Sequence, residues 1–130
     1  MIFGVGVDIL EADRVTKAWQ RFGERFAHKL LMPEELALFE RQQRPERFLA
    51  MRFAAKEAIV KAMGTGFAHG MWLKDAGVIP NRYGRPEIVF STRGTEKCAE
   101  LGIANGHLTL SDEAGLVVAV AILMQAPRTD

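Results

Sequence analysis

Arg52-Phe53-Ala54-Ala55-Lys56-Glu57-Ala58-Ile59-Val60-Lys61-Ala62-Met63-Gly64-Thr65-Gly66 sets one carboxylate among three cations on a predicted helix that runs into a glycine-rich turn. Pro45 suits the first turn of that helix and Gly64 its C-terminal cap, so the spacing predicts a helix from Pro45 that stops at Gly64. At ~100° per residue, Ala54, Ala55, Ala58 and Ala62 cluster on one face, whereas Arg52, Lys56, Glu57 and Lys61 spread over the opposite half. Alanines let a neighbouring element approach closely. The charges are then expected to face a cleft or water.

Upstream, Met1 to Ile9 alternates Phe3, Val5 and Val7 with Gly4, Gly6 and Asp8, the period of a strand with one bulky face and one nearly bare face that ends in a carboxylate. A close neighbour is expected on the bare face. Asp13 can cap a helix from about Arg14 to Leu31, on which Val15, Trp19, Phe22, Phe26 and Leu30 form the stripe expected to be buried. Beside it run Arg14, Lys17, Arg21, Arg25 and Lys29, with only Glu24 interrupting the positive charge nearby. An ordinary solvated face mixes signs, so an acidic partner is expected there, with a plain basic surface as the alternative.

Pro33 opens a short helix to about Arg41 with Leu36 and Phe39 facing in, although Met32 is a poor cap for it. Val78 to Pro80 and Glu87 to Phe90 read as a hairpin, and Ser91 or Thr92 caps a helix ended by Gly102. His107 to Ser111 alternates as a strand, with His107, Thr109 and Ser111 on one face. After the turn at 112–115, the unbroken apolar run Leu116 to Met124 predicts a central strand buried on both faces. Gln125 to Asp130 reads as a polar tail.

With 130 residues, 48% of them apolar and 25% charged, the chain can bury one core and is expected to form one domain, 1–130. The formal charge of +1 offers no global argument for nucleic acid. The charge is uneven, however: eleven Lys/Arg face six Glu between Arg14 and Lys61, a local excess of +5. A single cysteine, Cys98, rules out an intramolecular disulfide and reads as a buried structural thiol, which suits a reducing cytosol. No apolar run approaches the ~20 residues that span a bilayer, and the N-terminus lacks a secretory pattern. A soluble, cytoplasmic protein with no membrane partner is expected.

Asp8 closes a bare-faced strand, and Glu57 lies on a helix among cations. Two such carboxylates suit a magnesium ion that keeps waters and completes its shell with phosphate oxygens. The alternative is that Glu57 and Lys61, at i and i+4, form a surface pair worth ~0.3 to 0.5 kcal/mol and that Asp8 only ends a strand. Likewise Gly64-Thr65-Gly66 can aim backbone N–H groups at a phosphate or merely cap the helix. His107 can bind phosphate or be an ordinary strand residue. No His/Cys cluster supports zinc, and no Walker sequence or serine elbow is present.

Three segments taken together, Gly4-Val5-Gly6-Val7-Asp8-Ile9, Arg52 to Gly66 and His107-Leu108-Thr109-Leu110-Ser111, resemble in order and interval the small, holo-(acyl-carrier-protein) synthase type of 4′-phosphopantetheinyl transferase. Asp112 departs from that pattern, since many relatives carry His or Thr near it. The resemblance implies an α+β fold, a small antiparallel sheet packed with helices. It also implies transfer of phosphopantetheine from coenzyme A to a serine of an acyl carrier protein, with 3′,5′-ADP as the other product, in support of fatty acid biosynthesis.

By that resemblance Asp8 and Glu57 would hold Mg2+, and Glu57 and Lys61 would be the catalytic residues. Arg52, Lys56, Lys61, Gly64, Gly66 and His107 would line the coenzyme A site, and Arg14, Arg21 and Arg25 would meet the acidic carrier. The larger transferases contain two similar halves in one chain, and this chain has one. It is therefore expected to form a homotrimer with active sites at subunit interfaces. A non-catalytic module that binds nucleic acid through the basic stripe is the rival; it leaves Asp8 and Glu57 unexplained, and no nucleic-acid partner is expected.

Overall fold

The computed structural model describes residues 1–127. Strand β1 (Ile2–Glu11) leads into helices α1 (Ala12–Phe22), α2 (Glu24–Leu30), α3 (Pro33–Phe39) and α4 (Pro45–Met63). A hairpin of β2 (Ala76–Pro80) and β3 (Pro86–Phe90) follows, then α5 (Thr92–Leu101), β4 (Ile103–Glu113) and β5 (Leu116–Gln125). β1, β5 and β4 form an antiparallel sheet in that order, so the apolar run at 116–124 is the central strand, as expected.

One face of this sheet carries α4. From Gly4 on, residues of even number on β1 point inward, where Gly6 and Leu10 are buried, while Val5, Val7 and Ile9 stay exposed on the outer face, joined across a bulge by Ile2. The bare face finds its neighbour in α4: a side-chain carbon on Gly4 would overlap the carbonyl of Ala62, and one on Gly6 would overlap Ala58 and Ala62. Two glycines on a strand thus meet two alanines on a helix, and the backbones nearly touch. Ala54, Ala55, Ala58, Ala119, Ala121 and Leu123 complete the core at this layer. β5 is fully covered only on this inner face; Val118, Val120 and Ile122 on its outer face are half-buried.

The predicted helix 14–31 breaks at Gly23, whose φ of 56° and ψ of −134° no continuing helix tolerates. Phe22, expected in the buried stripe, lies at this break and is 47% exposed, whereas Val15 and Leu30 are buried as expected. The helix from Pro33 ends at Phe39, two residues short of Arg41. Its start is stabilised from the third helical residue, because the Glu35 carboxylate accepts a 3.0 Å bond from the Met32 N–H that Met32 has no oxygen of its own to match. β4 reaches both ways beyond the expected His107–Ser111. Cys98 is buried. Residues 128–130 of the expected tail lie outside the described residues, and Gln125 ends β5.

Candidate active site

The contact of Gly4 and Gly6 with Ala58 and Ala62 brings the end of β1 to the flank of α4. There Lys61 Nζ donates to Asp8 Oδ1 and to the Val7 carbonyl, both at 3.1 Å. The bland i,i+4 partnership is thereby replaced: Lys61 turns to Asp8, leaving Glu57 to face Asp8 across the same corner. Partial burial pushes the Glu57 carboxyl above its usual pKa, and the negative charge of Asp8 pushes it further, against weaker opposing pulls from Lys61 and Arg14. Two carboxylates therefore crowd one another beside a half-exposed ammonium. Such an oxygen-only pair fits a hard divalent cation, which would relieve their repulsion and take its remaining ligands from water and phosphate.

On a different face of α4, Arg52 lines a cleft of about 660 Å3 together with Arg41, Arg44 and Arg47. Among the described residues, no acid shares that lining. The Arg52 guanidinium stacks on the Phe48 ring, 4.0 Å from its centroid, and is largely buried. Arg47 is held at the cleft's edge by Asp112, which accepts from Nε at 2.7 Å and Nη2 at 2.9 Å. That bidentate pair is the structural role of Asp112, and it holds this carboxyl below the usual carboxylate range.

Lys56 contradicts the expectation that the helix charges face a cleft or water. It is wholly buried, and its three N–H donors go to Glu35 Oε1 at 2.7 Å, the Leu73 carbonyl at 3.0 Å and the Ala76 carbonyl at 2.5 Å. No donor is left for a phosphate. The reason is packing: α4 lies against the sheet and also against α1 and β2, and Glu35 of α3 reaches the buried side where Lys56 stands. Glu35 supplies the opposite charge that makes such burial tolerable.

Gly64 and Gly66 cap α4. Gly64 donates to the Lys61 carbonyl, and Thr65 and Gly66 both donate to that of Val60, so these N–H groups serve the helix end rather than pointing at an anion. A side chain at either glycine would meet open space, although both have positive φ. His107 lies on β4 level with Ile122 and Val5, on the outer face of the sheet, whereas Asp8 is on the inner face. Within one chain the structure therefore joins Asp8, Glu57 and Lys61, sets Arg52 in a separate cleft, and leaves His107 apart from both.

Arg14, Arg21 and Arg25 are all exposed. Arg14 is close enough to Glu57 to influence its protonation, and Arg21 stacks on exposed Phe22 at 5.1 Å. Arg25 lies beyond the break, beside an apolar groove that includes Phe22, Phe26 and Leu73.

The family model of the 4′-phosphopantetheinyl transferase superfamily matches residues 4–121. The chain belongs to that superfamily, in its holo-[acyl-carrier-protein] synthase group. A holo-[acyl-carrier-protein] synthase from Halorhodospira halophila is 44% identical over 124 residues, covering 95% of this chain and 98% of its own. The crystal structure of the synthase from Neisseria meningitidis superposes with a TM-score of 0.91 at 36% identity, covering 96% of this chain and all of the other. The Helicobacter pylori synthase, solved in complex with coenzyme A, gives 0.80 at 28% identity over 92% of this chain and 99% of its own. The α+β fold is thus the one this synthase group shares.

Several residues that shape this synthase fold escape a linear reading. Glu35 gives the one usable hint, an acid three residues after Met32 at a proline-opened helix start. Arg41, Arg44 and Arg47 look like ordinary loop and helix-start charges until the hairpin of β2 and β3 closes over them. Nothing in the sequence pairs Arg47 with Asp112, 65 positions away.

Proposed function

We propose that this chain transfers 4′-phosphopantetheine from coenzyme A to a serine hydroxyl of an apo acyl carrier protein, releasing 3′,5′-ADP and supporting fatty acid biosynthesis in the cytoplasm. The observation that carries this reading is the corner where Asp8, Glu57 and Lys61 converge. Asp8 and Glu57 are the residues that would hold Mg2+, and their mutual repulsion is the physical reason a divalent cation would be welcome there. When bound, that ion would neutralise charge on the pyrophosphate and polarise it.

Coenzyme A presents a phosphorus bonded to the bridging oxygen of its pyrophosphate. The serine oxygen forms a new bond to the phosphorus of the pantetheine side, the bridging P–O bond breaks, and 3′,5′-ADP leaves with that electron pair. Lys61, whose ammonium has one N–H beyond its bonds to Asp8 and Val7, is placed to stabilise or protonate the leaving phosphate. Glu57, with its raised proton affinity, is suited to accept the serine proton directly or through water. Arg52 in its acid-free cleft would take an anionic part of the nucleotide.

Two features favour a homotrimer with its active sites between subunits. Ile2, Val5, Val7 and Ile9 are exposed on the outer face of the sheet, beside half-buried Val118, Val120 and Ile122, an apolar surface suited to burial against another copy. His107 and Arg52 also do not meet Asp8 within one chain, so a site using all of them needs a second copy. The carrier would be steered by Arg14, Arg21 and Arg25.

The direct test incubates the protein with coenzyme A, magnesium and apo acyl carrier protein and weighs the carrier by mass spectrometry. A gain of one phosphopantetheine arm is expected, abolished by Asp8→Asn or Glu57→Gln. An unchanged mass across several carriers would end this reading.

A further inference from the structure

Glu35, Lys56 and Arg52 share the core between α3, α4 and β2, and Asp75, bonded to the Ser91 hydroxyl and the Trp72 N–H, is near enough to act on Lys56. Glu35 is fully buried. Its Oε1 accepts from Met32 N–H at 3.0 Å and Lys56 Nζ at 2.7 Å, and its Oε2 accepts from Val78 N–H at 3.0 Å. β2 can come this near because residue 77 is glycine; a side chain there would strike Met32 and Glu35. Arg52 Nε stands 3.6 Å from Oε2, too far for a hydrogen bond. It is the one buried side-chain polar atom without a partner among the described residues.

Glu35, Lys56 and Arg52 are two cations and one anion, +1 among the three, and since Glu35 and Asp75 both act on Lys56, the cation left without a hydrogen-bonded acid is Arg52. Its guanidinium is fixed between the Phe48 ring and Glu35, and it lines the basic cleft that lacks any acid. A guanidinium beside a free buried carboxylate would close onto it with two parallel bonds. What offsets that pull here is the Lys56 ammonium on Oε1, which neutralises the carboxylate, although Oε2, the oxygen facing Arg52, carries only the Val78 N–H.

We infer that Lys56 is a positioning residue: by neutralising Glu35 it keeps the Arg52 guanidinium free to receive an anionic group of coenzyme A in the basic cleft. This rests on the proposed function and deepens it. It also gives Lys56 a part different from the direct ligand contact expected at this position. Lys56 acts without touching the ligand.

The experiment measures coenzyme A affinity by titration calorimetry on variants whose folding is checked by circular dichroism. Lys56→Met should free Glu35 to capture Arg52 and weaken binding about tenfold, a coupling of the size seen between residues sharing one network. In a protein that also carries Arg52→Gln, adding Lys56→Met should change affinity by less than about twofold, because no captured arginine remains to be lost. The paired replacement Glu35→Gln with Lys56→Met removes captor and competitor together and should restore binding to within about threefold of the parent. That pair keeps the test decisive if Lys56→Met alone does not fold, since a buried ion pair can be replaced as a unit.

Equal losses from Lys56→Met with and without Arg52→Gln would overturn the inference. So would a tenfold loss in the paired variant, which is the result a direct phosphate contact by Lys56 demands. Failure of the parent protein to bind coenzyme A at all would overturn the proposed function itself, and the inference with it.

Discussion

Glu57 is where the chemistry of the corner can be read most directly. Its carboxyl holds a proton more tightly in the folded chain than in the unfolded one, because burial and Asp8 both oppose its charge. A raised carboxyl favours the folded state while protonated, so this contribution is present at low pH and disappears as pH rises through the folded pKa. Glu57→Gln should therefore raise the melting temperature of the metal-free protein at neutral pH, and the gain should shrink to nothing in acid, as differential scanning calorimetry would record. For transfer the sign is opposite: the acid limb of kcat/KM should lie above the ordinary carboxylate range and move to lower pH as magnesium is raised. Residue type and spacing singled out Asp8 and Glu57 but left a surface Glu57–Lys61 pair open, and the part expected of Lys61 came from the resemblance. The burial of Lys56 was not readable, because its fate depends on Glu35, 21 positions upstream, and no helical period reveals a counter-charge on another element.

At the scale of elements, the site depends on how closely β1 and α4 approach. Gly6→Ala would push a methyl group into backbone atoms of α4, which cannot give way as a flexible side chain would. The expected cost is about 1–3 kcal/mol or more by urea denaturation, with a loss of transfer exceeding what the unfolded fraction explains. The alternation of Phe3, Val5 and Val7 with glycines announced this contact, and the alanine period of α4 announced its other side. The break at Gly23 was hidden because the helical period of the basic stripe continues straight across it. Charge reversal at Arg14 and Arg21 should weaken carrier binding several-fold while leaving coenzyme A binding nearly unchanged, and the carrier effect should fade with salt. Surface plasmon resonance with the carrier beside calorimetry with coenzyme A separates the two.

For the whole molecule, the sheet has one face sealed by α4 and one that is apolar and open. Val5→Glu with Val7→Glu should leave a folded chain, yield monomers in place of the proposed trimer in sedimentation velocity runs and stop transfer, although Asp8, Glu57 and Lys61 are untouched. An active monomer would contradict shared sites. The central place of β5 followed from hydropathy, yet the strand order, and the separation of His107 from Asp8 that the register fixes, appear only in the fold. The meeting of Gly4 and Gly6 with Ala62 and Ala58 has a further consequence. It gears a two-residue strand step of about 6.8 Å to a four-residue helical step of about 6.0 Å. These rulers agree for one repeat and then drift, as on a vernier scale. One residue inserted between Gly6 and Asp8 would turn the carboxylate to the other side of the sheet, and one inserted between Ala58 and Lys61 would swing the ammonium round by about 100°. Insertions and deletions that spare the site must therefore fall outside the meshed spans.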